Sequence, residues 1–341
     1  MPRPHHFSSP SAFARAVMFE SRLRFDRRVM ERAVARAGRT GSPLVVGPWL
    51  SEIGFEVLYW IPFLRCLFRR HGVSPTQVTA LSRGGPRDWY RDIAAGYVDV
   101  HDLVDLTEFS AIQAHRIESA GDQKQQRVTP DDRRLLRDAG DGAPVHPLVM
   151  YSRLRYYWDG HAGARDLDRH CSFEPLARPA PSELPLPQRY VAAKPYFSDC
   201  FPDTPANREK VETLLLALAD QTDVVLLAPR VRLDDHAEIE SLEHPRIHDL
   251  GHLSARENLA VQTQVLAGAQ ALISTYGGFS YLAPFLGVPS FSFYSELNFN
   301  PAHLDAMHRA VRSLPGQPGF TTVDLRSLTT LMRSVIALTE A

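Results

Sequence analysis

Little in this chain points to the commonest binding chemistries. No G-x-G-x-x-G follows its first strand-like run and no G-x-x-x-x-G-K-[ST] occurs anywhere, so dinucleotide and P-loop sites lose their main support. A G-x-S-x-G elbow, H-E-x-x-H and paired C-x-x-C are missing as well, which argues against an α/β-hydrolase or a zinc site. Three cysteines, Cys66, Cys171 and Cys200, are odd in number and far apart; they form no disulfide framework and suit a reducing, cytoplasmic setting. The longest apolar stretch, Val57 to Phe68, is interrupted by Arg65 and falls short of the roughly 20 residues of a spanning helix. Surplus charge is absent too. The 38 basic and 39 acidic residues leave a net of −1, so no global field draws nucleic acid.

What is present suits two domains. The 341 residues, 44% hydrophobic and 23% charged, are enough for two cores. Lysine occurs only at Lys124, Lys194 and Lys210, and the remaining basic residues are arginine. Residues 1–40 form a basic, helical segment with nine arginines against Glu20, Asp26 and Glu31, interleaved with apolar Phe13, Val17, Phe19, Leu23, Val29, Met30 and Val34. Two readings stand for it: an amphipathic helix in peripheral contact with an anionic membrane, or a solvated helix packed on the body.

The run Pro43-Leu-Val-Val-Gly-Pro-Trp-Leu50 reads as a buried strand, followed by a turn at Ser51-Glu-Ile-Gly54 and a helix from Phe55 to His71. A second strand spans Gln77 to Leu81 and a loop covers Ser82 to Arg87. A helix is expected over Pro130–Arg137, and the aromatic, basic run Pro147–Trp158 suggests another strand. Five prolines between Pro175 and Pro187 mark a stiff linker. Beyond it strands and helices alternate: strands over 190–193, 223–228, 246–250, 271–274, 289–294 and 320–325, helices over 207–219, 257–267, 278–285, 301–312 and 327–338. The expectation is α/β: two Rossmann-like doubly wound domains facing a cleft, residues 41–174 and 189–341, joined by a linker at 175–188.

Three segments carry candidate chemistry. Thr275-Tyr-Gly-Gly-Phe-Ser-Tyr281 follows a strand; its glycine pair Gly277/Gly278 opens a helix whose free N–H groups and dipole suit a phosphate, with hydroxyls at Thr275, Ser280 and Tyr281. A plain tight turn is the alternative. Trp49 to Pro62 places Glu52 and Glu56 beside Gly54 at the end of the first strand, where a carboxylate facing the cleft can accept a proton from a hydroxyl. For Glu56 the alternative is an acid complementing a helix dipole. Asp166-Leu-Asp168 spells D-x-D, in a polar segment without a clear preceding strand.

The first two segments together resemble GT-B glycosyltransferases, most closely the bacterial heptosyltransferase-like group, glycosyltransferase family 9. That group carries G-D-V-L-x-x-x-P, and Gly54-Phe-Glu-Val-Leu-Tyr-Trp-Ile-Pro62 gives this run with one inserted residue and Glu56 in the acid's place. Its second signature is D-T-G-x-x-H-L-A-A-x-L-G-x-P, whose tail Gly278 to Pro289 follows closely, with Tyr276 and Tyr281 replacing the aspartate and histidine. The resemblance implies metal-independent, inverting transfer of a sugar from a nucleotide-diphosphate donor, itself a co-substrate with no further cofactor. The acceptor implied is a saccharide or lipid-linked saccharide of surface-polysaccharide or glycoconjugate synthesis. It also implies Glu56 or Glu52 as base, with Gly54 and Arg83 on the acceptor side. Donor contacts fall on Lys194, Thr275, Tyr276, Gly277, Gly278, Ser280 and Arg230, and on Glu257, which as a helix N-terminal acid has a structural alternative. A nucleotide-sugar epimerase, a pyruvyl-type transferase and a non-catalytic nucleotide-sugar-binding protein are the competing functions on this scaffold.

Overall fold

The computed structural model describes residues 10–120, 124–228, 237–239 and 242–326. Arg230, the helix expected over 327–338 and the first nine residues lie outside them.

A long helix, α1 (Pro10–Thr40), precedes the first sheet. That sheet holds β1 (Leu44–Val46), β2 (Val78–Ser82), β3 (Gly96–Asp99) and β4 (Ala143–Val145), all parallel, in the order β3-β2-β1-β4. Between β1 and β2 runs one helical stretch, α2: Ile53–Phe55, a widened π-turn over Glu56–Trp60, then Ile61–His71. The wide turn ends just before Pro62, which has no N–H to close a regular bond to the carbonyl four residues back. Next come α3 (Leu106–Ala120), α4 (Pro130–Asp138), α5 (Leu148–Trp158) and α6 (Ala164–His170). Residues 171–188 carry no regular element.

The second sheet is larger. Its strands β5 (Tyr190–Lys194), β7 (Asp223–Leu226), β9 (Ile247–Asp249), β10 (Leu272–Thr275), β11 (Ser290–Tyr294) and β12 (Phe320–Asp324) are parallel in the order β12-β11-β10-β5-β7-β9. A small antiparallel pair, β6 (Tyr196–Phe197) and β8 (Ala237–Glu238), stands apart. Among the described residues the complete helices of this half are α7 (Pro205–Ala219), α8 (Asn258–Gly268), α9 (Gly278–Phe285) and α10 (Pro301–Ser313). Two parallel sheets with flanking helices, set against each other, make this an α/β protein of two Rossmann-like halves.

One expected element changes type. Pro147–Trp158 is the helix α5, because Leu148, Tyr151, Leu154 and Tyr157 recur at helical spacing and all four are buried.

Both sheets reverse direction internally. The first switches at β1/β4 and the second at β5/β10, and in open parallel sheets ligands bind beyond the carboxyl ends at such points. The halves meet along a continuous core in which Phe55 and Tyr59 belong with Tyr276 and Tyr281. Polar bonds cross the junction as well: Trp89 Nε1 to Thr263 Oγ1 at 3.1 Å, Ala260 N to Gly84 O at 2.9 Å, and Arg256 to Asp102 at 2.8 Å.

Candidate functional site

The two switch points touch. A Cβ placed on Gly54, in the first turn of α2, would lie 3.0 Å from the Tyr281 ring and 3.2 Å from the Cα of Gly278, the first residue of α9. A Cβ on Gly278 would in turn lie 3.2 Å from Gly54 N and from Ile53 Cβ. Glycine at both positions lets two helix starts, one per domain, approach backbone to backbone. Each start directs unpaired N–H groups and the positive dipole end toward this junction.

On the second-domain side, Gly277 adopts φ +148°, a conformation side chains rarely take, and a Cβ there would run into the Tyr196 hydroxyl. The Ser280 hydroxyl closes the turn, accepting from Gly277 N at 3.1 Å and donating to Gly277 O at 2.7 Å. Thr275 Oγ1 is likewise engaged, accepting from Tyr196 N at 3.0 Å and donating to Tyr196 O at 2.7 Å. Both hydroxyls are buried and shape the turn. Tyr276 is buried among Tyr281, Tyr294 and Phe299. Lys194 stands at the carboxyl end of β5, its ammonium donating to Leu227 O at 2.5 Å and lying 5.3 Å from the ring centre of Phe279, in the first turn of α9. Lysine 194 and Gly277/Gly278 therefore flank one switch point. Glu257 is elsewhere: exposed at the N-cap of α8, it accepts from Ser254 N at 3.3 Å and lies beside Gly85 of the first domain.

The carboxylate expected to face the cleft turns inward. Glu56 is fully buried, with Oε1 accepting from Ser82 Oγ and Tyr90 OH, each at 2.5 Å, and Oε2 3.4 Å from Arg83. Burial outweighs Arg83 and the two hydroxyls and raises its pKa from 4.5 to about 7. Helical geometry explains the orientation: from the first turns of α2, this position points at the end of β2 and the turn that carries Tyr90. Arg83 also donates to Ser51 O, which fixes the loop after β1 to the loop after β2. Glu52, one turn earlier, is the N-cap of α2 and is exposed. A base must come within about 3 Å of the hydroxyl it serves. Glu52 is exposed to solvent, whereas Glu56 is closed off from it.

Asp166 and Asp168 both lie on α6, where residues two apart do not share a face. Asp166 is directed to His170 and Asp168 to Arg309. Among the described residues no group of three or more His, Cys, Asp or Glu side chains is placed to hold a metal ion.

A cavity of about 380 Å³, unforeseen in the sequence, opens between the domains beside Phe55. Phe55, Tyr151 and Trp158 supply aromatic faces, Lys124 and Arg155 positive charge, and Asn300 and His303 come from the second domain. Lys124 lies 5.7 Å from the Phe55 ring centre. His303 Nδ1 is 2.7 Å from Tyr59 OH, and burial followed by the nearby Lys124 lowers its pKa from 6.5 to about 4. The local sequence signals are the aromatic, basic run Pro147–Trp158, which supplies Tyr151, Arg155, Tyr156 and Trp158, and Asn300-Pro301, a cap and first-turn proline marking the start of α10.

No protein-family model matches this sequence, and no curated protein matches it. Solved structures do. The iron-containing dodecameric glycosyltransferase TibC of enterotoxigenic E. coli is 11% identical over 74% of this chain at a TM-score of 0.43, and the chain spans 58% of TibC's length. E. coli heptosyltransferase WaaC with ADP is 15% identical over 86% of this chain and 99% of its own, at 0.44. A glycosyl transferase family 9 protein of Veillonella parvula is 13% identical over 86% and 89%, at 0.45. Likenesses of this size assign neither donor nor activity to this chain.

Proposed function

We propose that this protein is a glycosyltransferase that moves a sugar from a nucleotide-diphosphate donor to a hydroxyl acceptor where its two carboxyl edges meet. The observation that carries this reading is the contact of Gly54 with Gly278, which joins the switch points of both sheets. The donor diphosphate lies at the start of α9, met by the first-turn N–H groups and by Lys194 once the ammonium leaves the Leu227 carbonyl. Arg230 is a further candidate contact, outside the described residues. The acceptor, a saccharide or lipid-linked saccharide, approaches from the first domain, and the cavity beside Phe55 offers aromatic faces to its ring.

In the transfer step the acceptor oxygen bonds to the anomeric carbon as the bond from that carbon to the diphosphate oxygen breaks, with inversion. The diphosphate keeps the electron pair, stabilised where its charge develops. The acceptor proton passes to Glu52, the exposed carboxylate at the start of α2. Glu56 acts as a positioning residue, holding Arg83 against the Ser51 carbonyl. It becomes the direct base only if Arg83 swings aside.

Thermal-shift measurements with UDP, GDP, ADP, CMP and dTDP test the site. One nucleotide is expected to stabilise the chain, by about 2.7 kcal/mol at a hundredfold excess over Kd. If none does, the donor site is wrong. Incubating nucleotide sugars without acceptor separates the epimerase reading, since an epimerase would convert the sugar alone. Glu52→Gln is expected to cut transfer at least 100-fold, the usual range for a lost base, and Glu56→Gln to cut it less. The reverse order would make Glu56 the base.

A further inference from the structure

Among its described side chains, helix α1 packs on the body by one face. Leu23, Val34 and Ala37 are buried there. Two of its three acids turn toward the body: Glu31 takes two bonds of 2.7 Å from Arg153 of α5, and Glu20 pairs with Arg155 at 2.5 Å and with Arg24 at 2.8 Å. The opposite face is therefore stripped of most negative charge. It carries Met18, Phe25 and Val29, 64%, 65% and 47% exposed, seven and four residues apart and hence in one line about 16 Å long. Arg22, Arg28, Arg32, Arg36 and Arg39 stand exposed beside that line. Arg22 has a loose contact to Asp26 at 3.8 Å, and the other four make no ion pair among the described residues.

We propose that this outer face of α1 docks the protein on an anionic lipid bilayer, with Met18, Phe25 and Val29 entering the headgroup boundary and the arginines meeting lipid phosphates. The pattern combines an apolar line with flanking cations on a helix already anchored by its other side, so no folding is required on binding. A nucleic-acid backbone has no use for the apolar line. A second copy of this chain, paired symmetrically, would set five arginines against five. No helix among the described residues is long and apolar enough to cross a membrane. The inference is independent of the glycosyltransferase reading.

The test is co-sedimentation of the full chain with vesicles of phosphatidylcholine alone or mixed equally with phosphatidylglycerol, at 0.1 and 0.5 M salt. Binding is expected on the anionic vesicles only, weakened at high salt by screening. Each arginine near such a surface contributes a factor of about five, so the combined Arg28→Gln, Arg32→Gln, Arg36→Gln variant is expected to bind about 100-fold more weakly. Phe25→Ser is expected to lose about tenfold, as one partly inserted side chain. These side chains project into solvent, so the Tm and circular dichroism of the variants should match the parent. Absence of binding, equal binding to neutral vesicles, or unchanged binding by the triple variant overturns the proposal. So does dimerisation abolished by the same substitutions, or binding to duplex DNA that survives Phe25→Ser.

Discussion

Replacing Glu56 by glutamine removes a buried titration whose effect on stability opposes that of His303. Burial raises the Glu56 carboxyl from 4.5 to about 7. Its contribution to stability is thus complete below pH 4.5 and is lost as pH rises through 7. At about 1.4 kcal/mol per pH unit the loss is about 3 kcal/mol. His303 works the other way. With its pKa lowered from 6.5 to about 4, its contribution is complete above pH 6.5 and is lost as pH falls through 4. The ring lines the cavity and is partly open to solvent, so about 2 kcal/mol is the better figure. In the wild type these two slopes oppose each other, and His71, His101 and His170, which burial also lowers, add to the His303 side. Glu56→Gln keeps the shape and the acceptor for Ser82 and Tyr90 but cannot ionise, so its stability should climb with pH. Relative to the wild type it should gain about 3 kcal/mol between pH 4 and 8. Urea titrations followed by tryptophan fluorescence report this directly, since Trp49, Trp60 and Trp89 are buried. If the two curves run parallel from pH 4 to 8, Glu56 does not titrate in the folded state as argued.

Further outcomes follow from the same geometry. His303→Asn should remove about 2 kcal/mol of the gain in stability between pH 4 and 6.5, relative to the wild type, in the same urea series. Gly54→Val sets a branched side chain where even a Cβ lies 3.0 Å from the Tyr281 ring; overpacking of this kind costs about 1–3 kcal/mol, read by calorimetry, and should impair nucleotide binding. Asp132→Ala strands Arg116 and His146, which contact that buried carboxylate at 2.6 and 3.1 Å, and should lower stability by about 3–5 kcal/mol in urea. Lys194→Ala should weaken nucleoside-diphosphate binding in titration calorimetry about tenfold or more, as befits a lost charge-assisted contact.

The alternation of the second half was legible because its strands are buried apolar runs such as Val224, Val225 and Leu226 between well-marked caps. The short strands Gly96–Asp99 and Ala143–Val145 were not, since they begin with glycine or alanine and are only partly buried. Aromatic residues disguised α5 as a strand, although its spacing is helical. The two signature segments were recognisable, but not their packing, which depends on the absence of a side chain at Gly54 and Gly278. Nor does a linear motif tell which way Glu56 points, because that depends on the face α2 turns toward Ser82 and Tyr90. The cavity escaped notice for a related reason: Phe55, Lys124, Trp158 and His303 are far apart in the chain and meet only when the domains close.

The central claim is that a nucleotide diphosphate binds where the start of α9 meets the start of α2. Hydrogen exchange of the full chain, with and without the stabilising nucleotide, tests it most directly. The account predicts new protection concentrated in peptides covering Ile53–Phe55 and Gly277–Tyr281, diminished in Lys194→Ala. Protection confined to other segments, with these two unchanged, would contradict it.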